Sequence, residues 1–176
     1  MQIARKFDWD QSPSEAKELQ KTLAREVKAD DRSGGSVGLV AGLDVAYEKD
    51  GDRVFAAVVV LDAVTHELVE SSVHHEQVQF PYVPGLFAFR EIPPISSALA
   101  KLKTTPDLIV CDGQGVAHPR RFGLASHIGL MYDVPTIGCG KTCLIGEYDP
   151  PSAARGSQSK LIDSCLLYTS PSPRDS

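Results

Sequence analysis

The sequence predicts an α/β domain built on a mixed sheet, in which an antiparallel three-strand meander is extended by parallel strands and flanked by helices. Three strand-like runs between residues 37 and 79 are joined by short turns, which is typical of a meander. Beyond residue 93, helix and strand patterns alternate, which is typical of parallel crossover units. With 176 residues and 42% hydrophobic content, the chain has the size and composition of one globular domain.

The first predicted element is an amphipathic helix that ends near residue 28. Ser12 is suited to the N-cap because Glu15 follows three residues later, and Pro13 occupies the first helical position. The apolar stripe then repeats every four residues, at Leu19, Leu23 and Val27.

Three strands are predicted next. Alternating apolar residues mark the first strand between Val37 and Val45, and residues 50–51, Asp-Gly, supply a turn. A valine-rich run from 54 to 61 marks the second strand. The range 67–79 alternates again, with Val69 and Val73 on one face.

The second half of the chain predicts two crossover units. A helix is expected after the Pro93-Pro94 pair, and a short apolar strand at 108–111 follows it and ends at Asp112. A second helix and a strand at 134–139 complete the pattern. The stripes of the two helices are Ile95, Ala98, Leu99 and Leu102 in the first, and Leu124, Ile128 and Met131 in the second.

Charge and cysteine content exclude several classes of protein. A formal net charge of −5 argues against a protein that coats nucleic acid by bulk positive charge, although a local basic cleft remains open. The four cysteines form no Cys-x-x-Cys pair, which disfavours a disulfide framework or a structural zinc site. No run approaches the roughly 18 apolar residues of a membrane span, so we expect a cytoplasmic protein without a membrane partner. We interpret His66, His74 and His75 as surface or strand residues rather than as metal ligands.

Three acidic residues are candidates for a metal centre. Asp44 interrupts an apolar strand, Asp112 ends another, and Glu91 lies beside the helix between them. If the two strands are neighbours, the carboxylates converge, and oxygen-only ligands are those that Mg²⁺ and Mn²⁺ use. The alternative is that each acid has a local partner at a strand end or in a loop.

Two further segments are candidates for phosphate contacts. His118, Arg120 and Arg121 precede a helix and can bind a phosphate there, although they are equally consistent with a solvated basic turn. Residues 138–142 resemble the end of a Walker A loop, but Pro135 stands where that motif needs glycine, which disfavours a nucleoside-triphosphatase. Lys141 remains a candidate for a phosphate contact, the alternative being an exposed loop lysine.

Tyr82 lies in a stiff loop, Pro81-Tyr82-Val83-Pro84-Gly85. An aromatic ring on such a loop can stack on a base or wedge into a duplex. Packing of the ring against its own loop is the alternative.

Six segments, in this order, resemble the endonuclease V family, the deoxyinosine 3′-endonucleases. They are Ala41-Gly42-Leu43-Asp44-Val45-Ala46-Tyr47, Pro81-Tyr82-Val83-Pro84-Gly85, Phe89-Arg90-Glu91, Asp112-Gly113-Gln114-Gly115, His118-Pro119-Arg120-Arg121 and Gly138-Cys139-Gly140-Lys141. The resemblance covers about residues 15–150, is of the bacterial type, and implies a fold similar to ribonuclease H.

By motif position, the resemblance implies that Asp44, Glu91 and Asp112 bind Mg²⁺, or Mn²⁺, and form the acidic centre. It implies that His118 and Lys141 position the scissile phosphate. Tyr82 would fill the gap left when a deaminated base is flipped into a pocket near Gly85 and Gly113. Arg120 and Arg121 are assigned to substrate binding.

The implied activity is DNA repair: recognition of deoxyinosine, the product of adenine deamination, and hydrolysis of the second phosphodiester bond on its 3′ side. The expected partners are DNA with deaminated bases and RNA that contains inosine, bound by a monomer. The alternative is a module that binds such nucleic acid without cutting it. Gln114 departs from the histidine of many relatives.

The family pattern also gives an expectation about domain organisation. Relatives continue with further strands and helices and with a histidine near the metal centre, whereas the last histidine here is His127. We therefore expect a catalytic domain at 1–150 that is incomplete at its C-terminal end. Residues 151–176 are expected to form a disordered or non-native tail, because they are rich in serine and proline.

Overall fold

The computed structural model describes residues 1–30 and 36–163, and the backbone of 166–170. Part of the expected tail at 151–176, namely 164–165 and 171–176, falls outside these residues. The helices are α1 (Pro13–Leu23), α2 (Phe87–Leu99) and α3 (Leu124–Tyr132), with a 3₁₀ turn at Ala24–Glu26. The strands are β1 (Leu39–Tyr47), β2 (Arg53–Asp62), β3 (Leu68–Gln77), β4 (Leu108–Asp112), β5 (Thr136–Cys139), β6 (Ser159–Asp163) and β7 (Leu166–Ser170).

Strands β1 to β5 form one mixed sheet in the order β3-β2-β1-β4-β5. The pairs β1–β2 and β2–β3 are antiparallel, whereas β1–β4 and β4–β5 are parallel. The predicted meander with parallel extensions is therefore confirmed. Leu43 pairs with Cys111 in the β1–β4 register, so the residues that follow them, Asp44 and Asp112, lie side by side at one edge of the sheet.

Helices α2 and α3 contribute to a core that also includes buried residues of strands β1, β2 and β4. In β2 the even positions from 54 to 60 are fully buried and the odd ones are not, so its continuous apolar run forms an alternating pattern in the sheet. The opposite face is partly open: Val59 and Val73 are 38% and 58% exposed.

Helix α2 begins earlier than the sequence predicts. Proline normally ends a helix because it lacks an N–H group and clashes with the preceding turn. Here Pro93 and Pro94 lie inside the helix, which starts at Phe87. Burial of Ile92 and Ile95 against the core stabilises the helix across this pair. Glu91 is consequently part of α2 and does not merely lie beside it.

Helix α1 has the predicted start but a different buried face. Ser12 and Glu15 form the capping box, and Pro13 is the first residue. The helix ends at Leu23 rather than near residue 28, and its buried residues are Ala16, Gln20 and Leu23. Leu23 of the predicted stripe is buried and Leu19 packs partly against the core, whereas Val27 lies beyond the helix. The burial of Gln20 on the same helix was not predicted.

Strands β6 and β7 pair antiparallel as a separate two-stranded sheet. Glu147 and Ile162 form an isolated bridge that connects this sheet to the segment after β5. The sequence pattern predicted neither strand, and the boundary at residue 150 stays a prediction. In the described part of the chain, helices fall short of the length and apolarity that a membrane crossing needs.

Candidate active site

Asp44, Glu91 and Asp112 come together at one edge of the sheet. Asp44 and Asp112 lie at the ends of the neighbouring parallel strands β1 and β4, and α2 carries Glu91 to them. Burial first, and then the negative charges of Asp112 and Asp44, raise the pKa of Glu91 to about 7, against the lowering effect of the Tyr47 hydrogen bond. The three carboxylates therefore interact electrostatically.

Each of these carboxylates has a neighbour of its own. Lys141 Nζ donates to Asp112 Oδ2 at 2.6 Å, and Tyr47 Oη donates to Glu91 Oε1 at 3.2 Å. The backbone N–H of Val45 donates to Asp44 Oδ1 at 2.8 Å. Among the described residues, His, Cys, Asp and Glu side chains form no group of three or more that holds a metal ion as arranged. The acids are thus adjacent, but in the described residues they are not arranged as a metal-binding group.

Lys141 is the cation at this edge. Its side chain is 79% exposed, and its ion pair with Asp112 raises its pKa, with a smaller contribution from Asp44. Gln114 Nε2 donates to the carbonyl oxygen of Thr142 at 2.9 Å and so ties the β4–α3 loop to the loop of Lys141. The ammonium group therefore reaches the acidic centre and solvent at the same time.

The Tyr82 loop borders this centre. The Tyr82 side chain is 65% exposed, and its ring meets Phe87 edge-on at 5.1 Å between centroids. The Arg90 guanidinium lies 6.0 Å from the Tyr82 ring and 5.2 Å from the Tyr47 ring. The ring thus packs against the start of α2 while most of the side chain is exposed to solvent, and its role toward a base stays a prediction.

A cleft of about 310 Å³ lies between this loop and the start of β2. Arg90 lines it and donates from Nη1 to the carbonyl oxygen of Phe80 at 3.1 Å. The other residues that line the cleft are Tyr47, Gly51, Asp52, Val78, Gln79, Phe80 and Pro81. It therefore connects Tyr47, which contacts Glu91, with the segment that precedes Tyr82.

His118 lies in the protein interior, where it contacts Gly85. Its ring Nδ1 accepts from the Arg120 backbone N–H at 3.2 Å, which makes Nε2 the protonated nitrogen that donates to the Gly85 carbonyl at 3.1 Å. Burial, followed by the nearby Arg120 charge, lowers the pKa of His118 to about 4. The ring is therefore neutral near pH 7.

The two candidate arginines are also engaged within the protein. Arg120 donates from Nη2 to the Gly85 carbonyl at 2.6 Å and from Nε to Gln20. Arg121 forms an ion pair with Asp163 at the end of β6. Gly85 and Gly113, in the loops that follow Pro84 and β4, both have positive φ. The predicted contacts of His118, Arg120 and Arg121 with phosphate stay predictions.

Comparison with known proteins identifies the family. A family model described as Endonuclease V matches residues 21–170. The chain belongs to the endonuclease V family. Endonuclease V of Nostoc punctiforme is 44% identical over 162 residues, which cover 92% of this chain and 73% of that protein. The predicted endonuclease class is confirmed at the level of the family.

Solved endonuclease V structures confirm the ribonuclease H-like fold. The crystal structure of endonuclease V from Streptomyces avermitilis superposes with a TM-score of 0.83 at 48% identity, and the match covers 90% of this chain and 70% of that one. Endonuclease V of Ciona intestinalis was solved with a 24mer DNA that contains an inosine followed by a ribo-adenosine. That match has a TM-score of 0.68 at 30% identity and covers 76% of this chain and 59% of the Ciona chain.

Sequence reasoning missed four residues of this endonuclease V site. Tyr47 and Arg90 were quoted only as members of motifs, although an aromatic residue and an arginine next to the predicted acids were available signals. Gln114 was given no role in the loop, and Gln20 was not singled out, because a glutamine on an amphipathic helix looks like a surface residue. Their contacts are long-range hydrogen bonds and ring contacts, which no local pattern specifies.

Proposed function

We propose that this chain is a metal-dependent repair endonuclease that recognises deoxyinosine in DNA and hydrolyses the second phosphodiester bond 3′ to it. The observation that carries the proposal is the adjacency of Asp44, Glu91 and Asp112 beside the exposed ammonium of Lys141. Carboxylates gathered at the ends of parallel strands suit a divalent cation, and an open aromatic loop next to them suits a nucleic acid.

The donor set fits Mg²⁺, with Mn²⁺ as the second choice. Asp44, Glu91 and Asp112 would hold the cation through oxygen alone, and a cation would relieve the burial and like-charge repulsion that raise the pKa of Glu91. Asp44 is exposed and Asp112 is half-buried, so their carboxylates can rotate away from Val45 and Lys141 to meet a common ligand. When bound, such a cation activates water and stabilises the leaving oxygen of a phosphodiester.

The chain's own residues supply contacts with the substrate. Lys141 offers an exposed positive charge for the phosphate beside the acids. Tyr82 offers a ring that fills the gap in the duplex when a base is flipped out, and flipping is least costly at a mispaired base. The flipped base would be bound near the loops of Gly85 and Gly113, and Arg121 would reach the DNA backbone from beside them.

The comparisons support inosine as the recognised base. The Ciona relative was solved with inosine-containing DNA, and the similarity to this chain covers most of its length. RNA that contains inosine is the second substrate to test. Monomeric state, cytoplasmic location and a catalytic domain at 1–150 stay predictions.

The test is nicking of a labelled duplex with one deoxyinosine, in Mg²⁺ and in EDTA. Asp44→Asn removes one proposed ligand charge, and Asp50→Asn, on an exposed turn, is the matched control. We expect nicking in Mg²⁺ by the unchanged chain and by Asp50→Asn, and none by Asp44→Asn or in EDTA. Equal nicking by Asp44→Asn would contradict the assigned mechanism. Lesion-specific binding without any nick would favour the binding-only alternative.

A further inference from the structure

Gln20 is a polar residue buried in the protein interior. It lies on the inward face of α1 with Ala16 and Leu23, and its side chain is 0% exposed. A buried amide is costly unless its donors and acceptor are satisfied. Here Nε2 donates to the carbonyl oxygen of Phe122 at 2.9 Å, and Oε1 accepts from Arg120 Nε at 2.5 Å.

The remaining contact of Gln20 is with Gly85. Its Nε2 donates to the Gly85 carbonyl oxygen at 3.2 Å, and His118 Nε2 and Arg120 Nη2 donate to the same oxygen at 3.1 and 2.6 Å. Three side chains from two separate segments thus surround one carbonyl. Since Gln20 also holds Arg120, it orients two of the three donors.

This carbonyl is the C-terminal anchor of the Tyr82 loop. At the N-terminal side of the loop, Arg90 Nη1 donates to the carbonyl oxygen of Phe80. A backbone hydrogen bond from Leu86 N–H to the Val83 carbonyl closes the turn at this end of the loop. Side-chain hydrogen bonds therefore hold both ends of the loop that carries Tyr82.

A side chain at position 85 would collide with this arrangement. Gly85 has φ +77°, and a Cβ atom there would lie 2.6 Å from Arg120 Nη2. Because Gly85 has no side chain, Arg120 can pass over the Cα atom of Gly85 and reach its carbonyl oxygen. The positive φ of Gly85 and the close approach of Arg120 thus both favour a glycine at this position.

We propose that Gln20 is a positioning residue for lesion recognition: it acts through Arg120 and the Gly85 carbonyl to hold the Tyr82 loop in its binding position. This inference rests on the proposed function, because it assigns the loop to deoxyinosine. Gln20 touches neither the acidic centre nor the expected substrate. Its effect is on the discrimination between damaged and undamaged DNA and not on the chemical step.

The chemistry of the amide explains why other residues fail at this position. Methionine has a similar length but leaves Arg120 Nε and the Phe122 carbonyl without partners. Glutamate can accept from Arg120, but it has no donor for the Gly85 carbonyl and repels it when ionised. Both substitutions therefore release the loop, by different routes.

The experiment measures dissociation constants of the full chain for a duplex with one deoxyinosine and for the same duplex without it, in EDTA. Gln20→Met and Gln20→Glu are compared with Lys17→Met, an exposed position on the same helix. We expect both Gln20 variants to bind the deoxyinosine duplex about tenfold more weakly, with unchanged affinity for the undamaged duplex. Lys17→Met should leave both affinities unchanged.

Three results would overturn the inference. An unchanged ratio of the two affinities in folded Gln20 variants would show that Gln20 does not position the loop. A parallel loss of both affinities would show a merely structural role.

If Gln20→Met does not fold, the ratio of affinities is measured with Gln20→Glu, which keeps the side-chain volume and the Arg120 contact. An unchanged chain that does not discriminate between the duplexes would refute the proposed function itself, and this inference with it.

Discussion

Substitution of Glu91 by glutamine should stabilise the metal-free protein. The pKa of Glu91 is raised from its ordinary 4.5 to about 7, first by burial and then by Asp112 and Asp44. The unfolded chain releases this proton near pH 4.5, whereas the folded protein holds it until about pH 7. The folded state therefore loses stability as pH rises from 4.5 to 7.

The magnitude follows from that difference in pKa. Raising the pKa by this amount costs the folded state about 3 kcal/mol once the carboxylate is ionised. A glutamine side chain at this position would keep the shape and an acceptor for Tyr47 without the charge. For a chain of this size, about 3 kcal/mol corresponds to roughly 6–12 °C in the melting temperature.

The assay is thermal unfolding of Glu91→Gln and the unchanged chain in EDTA, at pH 4 and at pH 8. We expect equal stability at pH 4 and a higher melting temperature for the variant at pH 8. Glu67→Gln, at an exposed position just before β3, is the control and should change neither value. Added Mg²⁺ at pH 8 should stabilise the unchanged chain and not the variant. A variant that melts at or below the unchanged chain at pH 8 would refute the electrostatic crowding of the three acids.

Three further predictions concern other parts of the structure. Tyr82→Ala should weaken binding of a deoxyinosine duplex about tenfold or more, the value of one stacked base, without changing the melting temperature; equal affinity would exclude a wedge. Gly138→Ala should destabilise the fold by about 2 kcal/mol, because its Cβ would lie 2.5 Å from the backbone of Gly113 and Gly115. At Gly42 an added Cβ meets nothing within 4 Å, so Gly42→Ala should be tolerated. Chemical denaturation of the two variants compares their free energies of unfolding. Burial lowers the pKa of His127 to about 3. Below pH 6.5 the imidazole is therefore protonated in the unfolded chain but stays neutral in the folded protein, which lowers the stability of the folded state. Between pH 7 and pH 5, the free energy of unfolding should therefore fall by about 2 kcal/mol less in His127→Phe than in the unchanged chain. Equal decreases in the two chains, measured by urea titration, would contradict this reasoning.

The antiparallel meander and the parallel direction of the later strands could be predicted from the sequence, whereas the adjacency of Asp44 and Asp112 was predicted only on the condition that β1 and β4 are neighbours. Short turns between alternating runs leave an antiparallel meander as the simplest arrangement, and a crossover helix after it requires a parallel neighbour. The carboxylates at the ends of two such runs then fall at one edge. The pairing of β4 with β1, and not with β3, meets that condition, and the local pattern does not specify it.

Helix α2 and the buried face of α1 could not be predicted in the same way. Local propensity places a helix start after Pro94, yet packing of Ile92 and Ile95 in the core extends the helix back to Phe87. Gln20 looks like a surface residue until Arg120, Gly85 and Phe122 meet it from distant parts of the chain. Tertiary contacts decide both cases.

The neutral, buried state of His118 is a similar case. A histidine beside two arginines at a helix start indicates a phosphate site, and that interpretation treats the ring as available to solvent. The fold instead turns the ring toward the Gly85 carbonyl, and burial lowers its pKa to about 4. The burial of His118 cannot be read from the local sequence, and it keeps the ring neutral near pH 7.

The position of the cut decides whether this chain acts on deoxyinosine as proposed. A duplex with one deoxyinosine, labelled at its 5′ end, is incubated with the chain and Mg²⁺, and the product is sized to one nucleotide beside a chelator control. We expect a single nick at the second phosphodiester bond 3′ to deoxyinosine, which disappears in EDTA and with Asp112→Asn. A nick elsewhere, or one that persists without metal, would contradict the proposed function.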